Sequence, residues 1–184
     1  MLAEVGGRGQ ERLLESVVAI HGRGDSALVC ANYLAGAGVG TLALSDDVAS
    51  SSALGRSIGL AARNPDCTVA VGDGAGADVV VVVGALIPAS LPPRSTVIWG
   101  AARDGGATLA HLPPGRGCVA CLAALAASEP ESDDPSIVLG TMLALEALRA
   151  LLALDAGDGA RLVRFDLERS GAEVLPFPAC PACA

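Results

Sequence analysis

The sequence contains no lysine, and its twelve basic residues are all arginine. Aromatic residues are scarce, with one Trp, one Tyr and two Phe, so the core has to be built from Leu, Val and Ala. A chain this poor in aromatic side chains offers no platform on which nucleic-acid bases could stack. Its net charge of −8 repels phosphate backbones and anionic lipid surfaces. These features exclude nucleic acid and membrane surfaces as expected partners.

The length of the chain is sufficient for one core. We expect residues 1–184 to form a single domain, because a chain of this length buries about two thirds of its unfolded surface. The first residues contain no basic leader followed by an apolar run, so the sequence predicts no signal peptide and a cytoplasmic location. The longest apolar stretch, Ile137 to Leu154, carries Glu146 and Arg149 at a spacing that a helix can pair. This spacing favours a buried or dimer-forming helix over a membrane span.

The order of apolar runs and glycine turns predicts an α/β fold. Residues 17–48 follow the order strand, glycine turn, helix and second strand, which is the first half of a nucleotide-binding sheet. The β-branched runs 69–71 and 79–83 lack polar alternation, as expected of central parallel strands covered on both faces. Residues 100–115 and 161–177 carry glycine turns typical of antiparallel hairpins. We therefore expect a Rossmann-like, mostly parallel sheet with helices on both faces and a small C-terminal antiparallel excursion.

The first glycine turn has the positions of a phosphate-binding loop. Gly22 and Gly24 occupy its first two positions and Ala27 the third, which makes these residues candidates for binding a cofactor. Asp25 stands where a phosphate would lie, and its carboxylate suits an N-cap that would satisfy the same N–H groups. Asp46, after the second strand, has the place of a ribose-binding acid, although aspartate also commonly closes a strand. The loop thus indicates nucleotide-binding ancestry more strongly than present nucleotide binding.

Four cysteines form two pairs with the spacing of metal ligands. Cys118 and Cys121 make one CxxC pair, and Cys180 and Cys183 make the other, about sixty residues further along. CxxC spacing lets two thiolates share a tetrahedral zinc, so we expect one structural zinc site that attaches the C-terminus to the middle of the chain. Two disulfides are the alternative, although a bridge within CxxC is strained. A redox role is less favoured, because we expect neither pair to open a helix after a strand as a thioredoxin-like motif would.

Three other candidate residues are expected to be structural. Cys30 lies on the apolar face of the first predicted helix and should pack in the core. Cys67 could be exposed, but nothing near it in sequence would lower its pKa, which disfavours a nucleophile. His21 is expected to pack beside the glycine turn rather than to act as a base.

Several segments together resemble the ThiF, MoeB and HesA family, whose members are bacterial relatives of ubiquitin-activating enzymes. The matching segments cover nearly the whole chain and are GQERLLES with VVAIHGRG, YLAGAGVGTLALSD, WGAARDGGATLAHLPPGRGCVACL, LGTMLALEALRALLAL and CPACA. The resemblance implies ATP- and magnesium-dependent adenylation of the C-terminal carboxylate of a small carrier protein or peptide. It assigns the ribose-binding acid to Asp46 and a phosphate-side arginine to Arg56. It also implies a dimer formed through the region of the long helix.

The departures from the family pattern fall on the chemistry. The crossover helix, within residues 50–66, is short and has no counterpart of the family's phosphate-contacting lysine. The catalytic aspartate of the family falls on Ala85 or a neighbour, so nothing acidic is there to hold magnesium. The loop in which family members carry a sulfur-handling cysteine corresponds to the acidic residues 128–136, which we expect to be solvated and which contain no cysteine. The resemblance therefore implies a shortened, degenerate member of the family.

Three functions remain open on this basis. The first is a non-catalytic ThiF-like protein that binds a peptide or carrier-protein tail for a partner enzyme, as degenerate relatives do in the maturation of ribosomal-peptide natural products. The second is an active adenylyltransferase in which Arg56, Arg63 or Arg103 replaces lysine. The third is a structural subunit paired with an active homologue. The selective loss of nucleotide chemistry from an intact scaffold favours the first.

Overall fold

One eight-stranded sheet with helices packed against it forms the body of the protein in our computed structural model. The structure describes residues 6–50, 64–129, 137–154, 159–178, 180 and 183. The helices in these residues are α1 (Gly6–Glu15), α2 (Gly24–Ala37), α3 (Asp46–Ala49), α4 (Val119–Ser128) and α5 (Ile137–Leu151). The strands are β1 (Val17–His21), β2 (Thr41–Leu44), β3 (Thr68–Val71), β4 (Val79–Val83), β5 (Thr96–Arg103), β6 (Gly106–Leu112), β7 (Arg161–Asp166) and β8 (Gly171–Pro176).

The sheet has a parallel half and an antiparallel half, in the strand order β3-β2-β1-β4-β5-β6-β7-β8. Strands β3, β2, β1, β4 and β5 pair in parallel, whereas β6, β7 and β8 pair antiparallel. The predicted fold class is therefore confirmed. The strand order reverses direction at β1 and β4, so the crevice beyond the carboxyl ends of these two strands is where open α/β sheets bind ligands.

The two β-branched runs have different environments. All five residues of β4, Val79–Val83, are buried between neighbouring strands, as predicted for a central strand. All four residues of β3, Thr68–Val71, are exposed, and β2 is the strand that β3 pairs with in the described part of the chain. The prediction that β3 is a central strand was wrong. An apolar run fixes strand propensity but not the number of neighbours, because Val also suits a half-exposed edge.

The helix boundaries correct three details of the sequence interpretation. Helix α2 begins at Gly24 with Arg23 at its N-cap, so Asp25 lies in the first turn and does not cap the helix. Helix α4 was not predicted, because its run of Ala and Leu has no clear polar face. The long helix α5 ends at Leu151, three residues before the predicted end. Residues 51–63 and 130–136 of the predicted crossover helix and acidic loop lie outside the described residues.

Helices α2 and α5 cover one face of the sheet and pack closely against each other. A Cβ atom at Gly140 of α5 would lie 2.5 Å from the Ser26 carbonyl oxygen and 2.7 Å from the Val29 Cβ, both on α2. Glycine at this position therefore permits the short distance between the helices. Within the described residues, no helix is both long and apolar enough to cross a membrane.

Glu146 connects α5 to the antiparallel half of the sheet. Its carboxylate forms the predicted pair with Arg149, at 3.5 Å, and accepts a shorter hydrogen bond from Arg161 of β7, at 2.7 Å. His111 of β6, the register partner of Arg161, places its Nδ1 atom 3.3 Å from the same carboxylate. The charged residues of the long helix therefore help to hold α5 against the sheet, as expected for a buried rather than a membrane helix.

Glu129 connects the end of α4 to strands β6 and β7 on the opposite face of the sheet. This residue follows α4, and its buried carboxylate accepts hydrogen bonds from the Thr108 hydroxyl at 3.0 Å and the Arg164 guanidinium at 3.1 Å. Thr108 and Arg164 are register partners on β6 and β7. Glu129 was predicted to lie in a solvated loop, which is wrong. Its partners lie in strands distant in sequence, so composition alone could not identify them.

Candidate metal centre and nucleotide crevice

The glycine turn after β1 lies directly against β4. Gly22 has a φ of +127°, and a Cβ atom there would stand 2.4 Å from the carbonyl oxygen of Val83. Gly24 also has a positive φ, +80°, but its missing Cβ would meet nothing within 4 Å. Ala27 is fully buried in the first turns of α2. The turn therefore has the close backbone approach of a phosphate-binding loop, with the N-terminus of α2 behind it.

The charges around this turn are mostly acidic. Asp25 lies in the first turn of α2, Asp46 and Asp47 open α3 after β2, and Asp73 follows β3. Arg23 is the one cation in the described turns that follow β1, β2 and β3, and its guanidinium binds the Asp47 carboxylate at 3.1 Å. Asp47 and Asp73 were missed as parts of the crevice, although each stands just after an apolar run. This arrangement opposes the binding of a polyphosphate.

Of the other residues predicted to contact a nucleotide, the structure places only Asp46 beside the glycine turn. Asp46 is exposed after β2, and its turn adjoins the glycine turn because Leu44 pairs with Ile20 of β1. Arg56, together with Arg63, lies outside the described residues. Arg103 lies at the end of β5, beyond Gly100, which is the last residue of that strand to pair with β4.

His21 and the turn after β4 supply no charge to the crevice. Burial lowers the pKa of His21, and a backbone hydrogen bond and the charge of Asp73 offset this effect only in part, so the imidazole is neutral at pH 7. This buried position agrees with the predicted packing role. Ala85 follows β4 in a turn that the buried Trp99 fixes by donating a 2.8 Å hydrogen bond from Nε1 to the Gly84 carbonyl oxygen. No acidic side chain occupies the position that the family resemblance assigned to Ala85.

The structure brings the four predicted zinc ligands into one cluster. The sulfur atoms of Cys118, Cys121, Cys180 and Cys183 all lie within 4.8 Å of one another. The Cys118 sulfur is 3.7 Å from that of Cys121 and 3.8 Å from that of Cys180. Four sulfurs at the usual Zn–S distance of about 2.3 Å form a tetrahedron whose edges are about 3.8 Å. These two separations are therefore those of sulfur atoms that share a metal, and are too long for a disulfide of about 2.05 Å.

The backbone around the cluster favours thiolates. Cys118 is the N-cap of α4 and Cys121 lies in its first turn, where the helix dipole stabilises negative charge. The N–H group of Cys180 donates to the Cys121 sulfur at 3.2 Å. A backbone hydrogen bond from Cys121, assisted by the Cys183 thiol, lowers the pKa of Cys118 to about 7, whereas hydrogen bonds to Cys118 and Cys180 raise that of Cys183 to about 12. The Cys183 thiol would lose its proton on binding a metal, and four sulfur ligands then fit a structural zinc and leave no open coordination position.

One argument against a redox role was wrong. The Cys118–Cys121 pair does open a helix, α4, after strand β6, contrary to the sequence expectation. Cys180 and Cys183 nevertheless lie against this pair. A redox CxxC needs no second pair of cysteines, so the cluster still favours a metal site. Of the other cysteines, Cys30 is fully buried, as predicted. Cys67 is also buried rather than exposed, and burial raises its pKa, which further disfavours a nucleophile.

Comparison with known structures shows the same fold in two other proteins, MccB and PaaA. E. coli MccB, crystallised with succinimide, is 15% identical, with a TM-score of 0.70, and the match covers 95% of this chain and 68% of MccB. The microcin C7 biosynthetic enzyme MccB in complex with N-formylated MccA gives 14% identity, a TM-score of 0.72, and coverage of 95% and 69%. PaaA gives 14% identity, a TM-score of 0.62, and coverage of 91% and 66%. No protein-family model matches the chain, and no curated protein matches it significantly in sequence.

These likenesses establish the fold. The chain has the ThiF-like α/β architecture of MccB and spans about two thirds of the length of MccB and PaaA. MccB has also been crystallised with ATP, at 15% identity and a TM-score of 0.71, with coverage of 95% of this chain and 68% of MccB.

Proposed function

We propose that this chain is a non-catalytic ThiF-like protein that binds a peptide or small carrier-protein tail and presents it to a partner enzyme. The pathway we propose is the maturation of a ribosomally made peptide natural product. One observation supports the proposal: the crevice keeps the backbone form of a nucleotide site, while its described charges are mostly acidic and its one described cation, Arg23, is paired with Asp47. The similarity to MccB supports the peptide part, because MccB is a microcin C7 biosynthetic enzyme seen in complex with MccA.

Energetic reasoning supports the loss of adenylation. The reaction develops negative charge on phosphoryl oxygens, and each preorganised cationic or hydrogen-bond donor contributes about 3 kcal/mol of transition-state stabilisation. The family's lysine and magnesium-binding aspartate have no counterparts in the sequence, and Arg23 is already bound to Asp47. Two absent groups would slow the reaction by roughly four orders of magnitude.

An ATP–pyrophosphate exchange assay tests this proposal directly. The zinc-loaded protein would be incubated with radiolabelled pyrophosphate, ATP, magnesium and candidate precursor peptides encoded near its gene. We expect peptide binding by calorimetry without exchange above the protein-free background. Exchange at a rate typical of adenylating enzymes would establish the second function, an adenylyltransferase that uses Arg56, Arg63 or Arg103. Co-purification with an active homologue in place of peptide binding would establish the third, a structural subunit of a heterodimer.

The cofactor we propose is a structural zinc held by Cys118, Cys121, Cys180 and Cys183. Their sulfur atoms all lie within 4.8 Å of one another, and bound zinc would fix the C-terminal segment against the sheet. ATP and magnesium are not proposed as working cofactors. We further propose that residues 1–184 act as one domain, in the cytoplasm.

Removing the charge of Asp25 should strengthen ATP binding. Asp25→Asn takes a negative charge from the first turn of α2, where a phosphate would meet the helix N-terminus, so we expect ATP affinity to rise about threefold to tenfold. Calorimetric titration with ATP and magnesium measures this change. Asp66→Asn is the matched control, because Asp66 is exposed and precedes β3 at the opposite end of the parallel strands. An equal rise in both variants would attribute the effect to net charge and contradict a local role for Asp25.

The outward face of α5 is proposed as the dimer surface. Leu145 is 55% exposed there and borders a cleft of about 190 Å³ between α5 and strands β6 and β7. We expect Leu145→Asp to convert a dimer into a monomer in sedimentation velocity, because burying an unpaired carboxylate costs several kcal/mol. Leu14→Asp is the control, since Leu14 of α1 is 51% exposed and lies on another helix. A dimer that survives Leu145→Asp, or that Leu14→Asp dissociates equally, would place the interface elsewhere.

A further inference from the structure

The outer edge of β8 forms one end of the sheet in the described part of the chain. β8 is the last strand of the sheet order, and no described residue pairs with the side that faces away from β7. Every residue of β8 except Leu175 is exposed, and Val174 has 66% of its surface accessible. An exposed edge of this length presents backbone donors and acceptors that an added strand can satisfy.

The register identifies which backbone groups face outward. Phe177 donates its N–H to the Ala160 carbonyl oxygen, so residues 160 and 177 form a hydrogen-bonded pair of the ladder. Because such pairs alternate along an antiparallel ladder, Leu175 and Glu173 also bond to β7. Ala172 and Val174 therefore direct both their N–H and C=O groups away from the sheet. Pro176 adds an outward carbonyl and lacks the N–H that would face solvent, which is the position where a strand tolerates proline.

The side chains along this edge differ between the two faces of the sheet. Val174 and Ala172 lie on the face that carries Val163 and Phe165, their register partners on β7. Glu173 lies on the other face, and no ion pair joins its carboxylate to another described residue. Its register partner Arg164 is already bound to Glu129. An added strand would therefore meet an apolar surface on one face and an uncompensated carboxylate on the other.

We propose that β8 binds an extended, basic and apolar peptide segment as a ninth strand of the sheet. An apolar residue of the peptide would form a hydrogen-bonded pair with Val174, and a basic residue would stand opposite Glu173, where the side chains of a non-hydrogen-bonded pair come closest. The charge of the chain favours a cationic peptide, since the protein carries a net −8 and no lysine. This inference rests on the proposed peptide-binding function and assigns its site.

A second copy of the chain satisfies the edge less well. Pairing two β8 strands about Val174 would set Ala172 of each copy opposite Pro176 of the other, and each such pair would lack one hydrogen bond because proline has no N–H. Pairing them about Glu173 avoids this loss but sets the two Glu173 carboxylates opposite each other, which is destabilising. Two chains of net charge −8 would also repel each other. The edge therefore suits a basic peptide better than self-association.

The probe for this site is a synthetic heptapeptide that alternates arginine with valine, is acetylated at its N-terminus and carries a fluorescent label at its C-terminus. Binding to the zinc-loaded protein would be followed by fluorescence anisotropy and by amide hydrogen exchange. We expect the amides of Ala172 and Val174 to become protected on binding, while those of Glu173 and Leu175 are protected before it. The same peptide with N-methylvalines, or with glutamate in place of arginine, should bind at least tenfold more weakly.

Val174→Pro tests the protein side of the pairing. It removes one outward N–H without touching a bond to β7, so we expect about tenfold weaker binding of the probe with zinc content unchanged. Val174→Thr keeps the N–H and the β-branched shape and should bind within threefold of the original chain. Glu173→Gln should weaken binding about threefold and reduce its dependence on salt.

The outcomes separate this site from the proposed function. Equal binding by Val174→Pro of both the probe and a native precursor peptide would overturn the β8 assignment and leave peptide binding intact. Failure of the unmodified chain to bind any peptide would overturn both. Dissociation of a dimer by Val174→Pro without added peptide would show that a second copy pairs with the edge, and would also overturn the assignment.

Discussion

Replacing Cys121 with serine is expected to abolish zinc binding and to lower the melting temperature by roughly 10 °C. Cys121 is the most buried sulfur of the cluster and accepts the Cys180 N–H group, so it joins the start of α4 to the C-terminal segment. A ligand present at about a thousand times its dissociation constant stabilises a fold by about 4 kcal/mol. For a chain of this length, each kcal/mol corresponds to roughly 2–4 °C. Metal analysis and calorimetric melting measure the two effects.

The control for this variant is Cys67→Ala. Cys67 is also buried but lies before β3, away from the cluster, so its replacement should leave one zinc per chain. Incubation with a strong chelator should lower the melting temperature of the original chain toward that of Cys121→Ser and should not affect the latter. Chelator resistance combined with an unchanged metal content in Cys121→Ser would rule out a zinc held by these four cysteines.

The sequence predicted the elements that depend on local pattern. The strand, glycine turn and helix of residues 17–37 and the hairpin of β7 and β8 lie where the alternation of apolar runs and turns placed them. The exposure of β3 and the existence of α4 were missed. The apolar sequence of β3 predicts a strand but not how many strands lie beside it. The Ala- and Leu-rich sequence of α4 lacks the clear 3.6-residue alternation of apolar and polar residues that identifies a helix.

The zinc ligands could be predicted from the sequence because the spacing of the cysteines determines whether two of them can bind one metal ion. CxxC spacing indicated which thiols can share a metal, because that geometry is local to each pair. The contact between the two pairs was also expected, because a tetrahedral zinc takes four ligands, although the path through α4, α5, β7 and β8 that brings the pairs together is not recorded in their spacing. The ion pair between Arg23 and Asp47 and the exposed outer edge of β8 at Val174 likewise arise from the order of strands in the sheet. Sequence reasoning therefore identified ligands but not binding surfaces.

Substituting alanine for Gly22 should be among the most damaging single changes in the chain. The added Cβ would stand 2.4 Å from the Val83 carbonyl oxygen and 2.7 Å from the Val83 Cβ, so either β1 or β4 must shift at the center of the sheet. Overpacking and an unfavourable positive φ each cost about 1–3 kcal/mol, which gives a total of roughly 3–4 kcal/mol. Chemical denaturation followed by circular dichroism measures the loss of unfolding free energy.

Gly24→Ala is the matched comparison, because it has the same positive-φ requirement without the collision. Its Cβ would meet nothing within 4 Å, so we expect a loss of only about 1–2 kcal/mol from backbone strain. The difference between the two variants isolates the contact with β4, which is what brings the turn into the crevice. Equal losses in both variants would show that the turn tolerates displacement from β4. In that case the conformation of the turn would not depend on its contact with β4. The turn could then move to admit a nucleotide, which would favour the adenylyltransferase over the non-catalytic function.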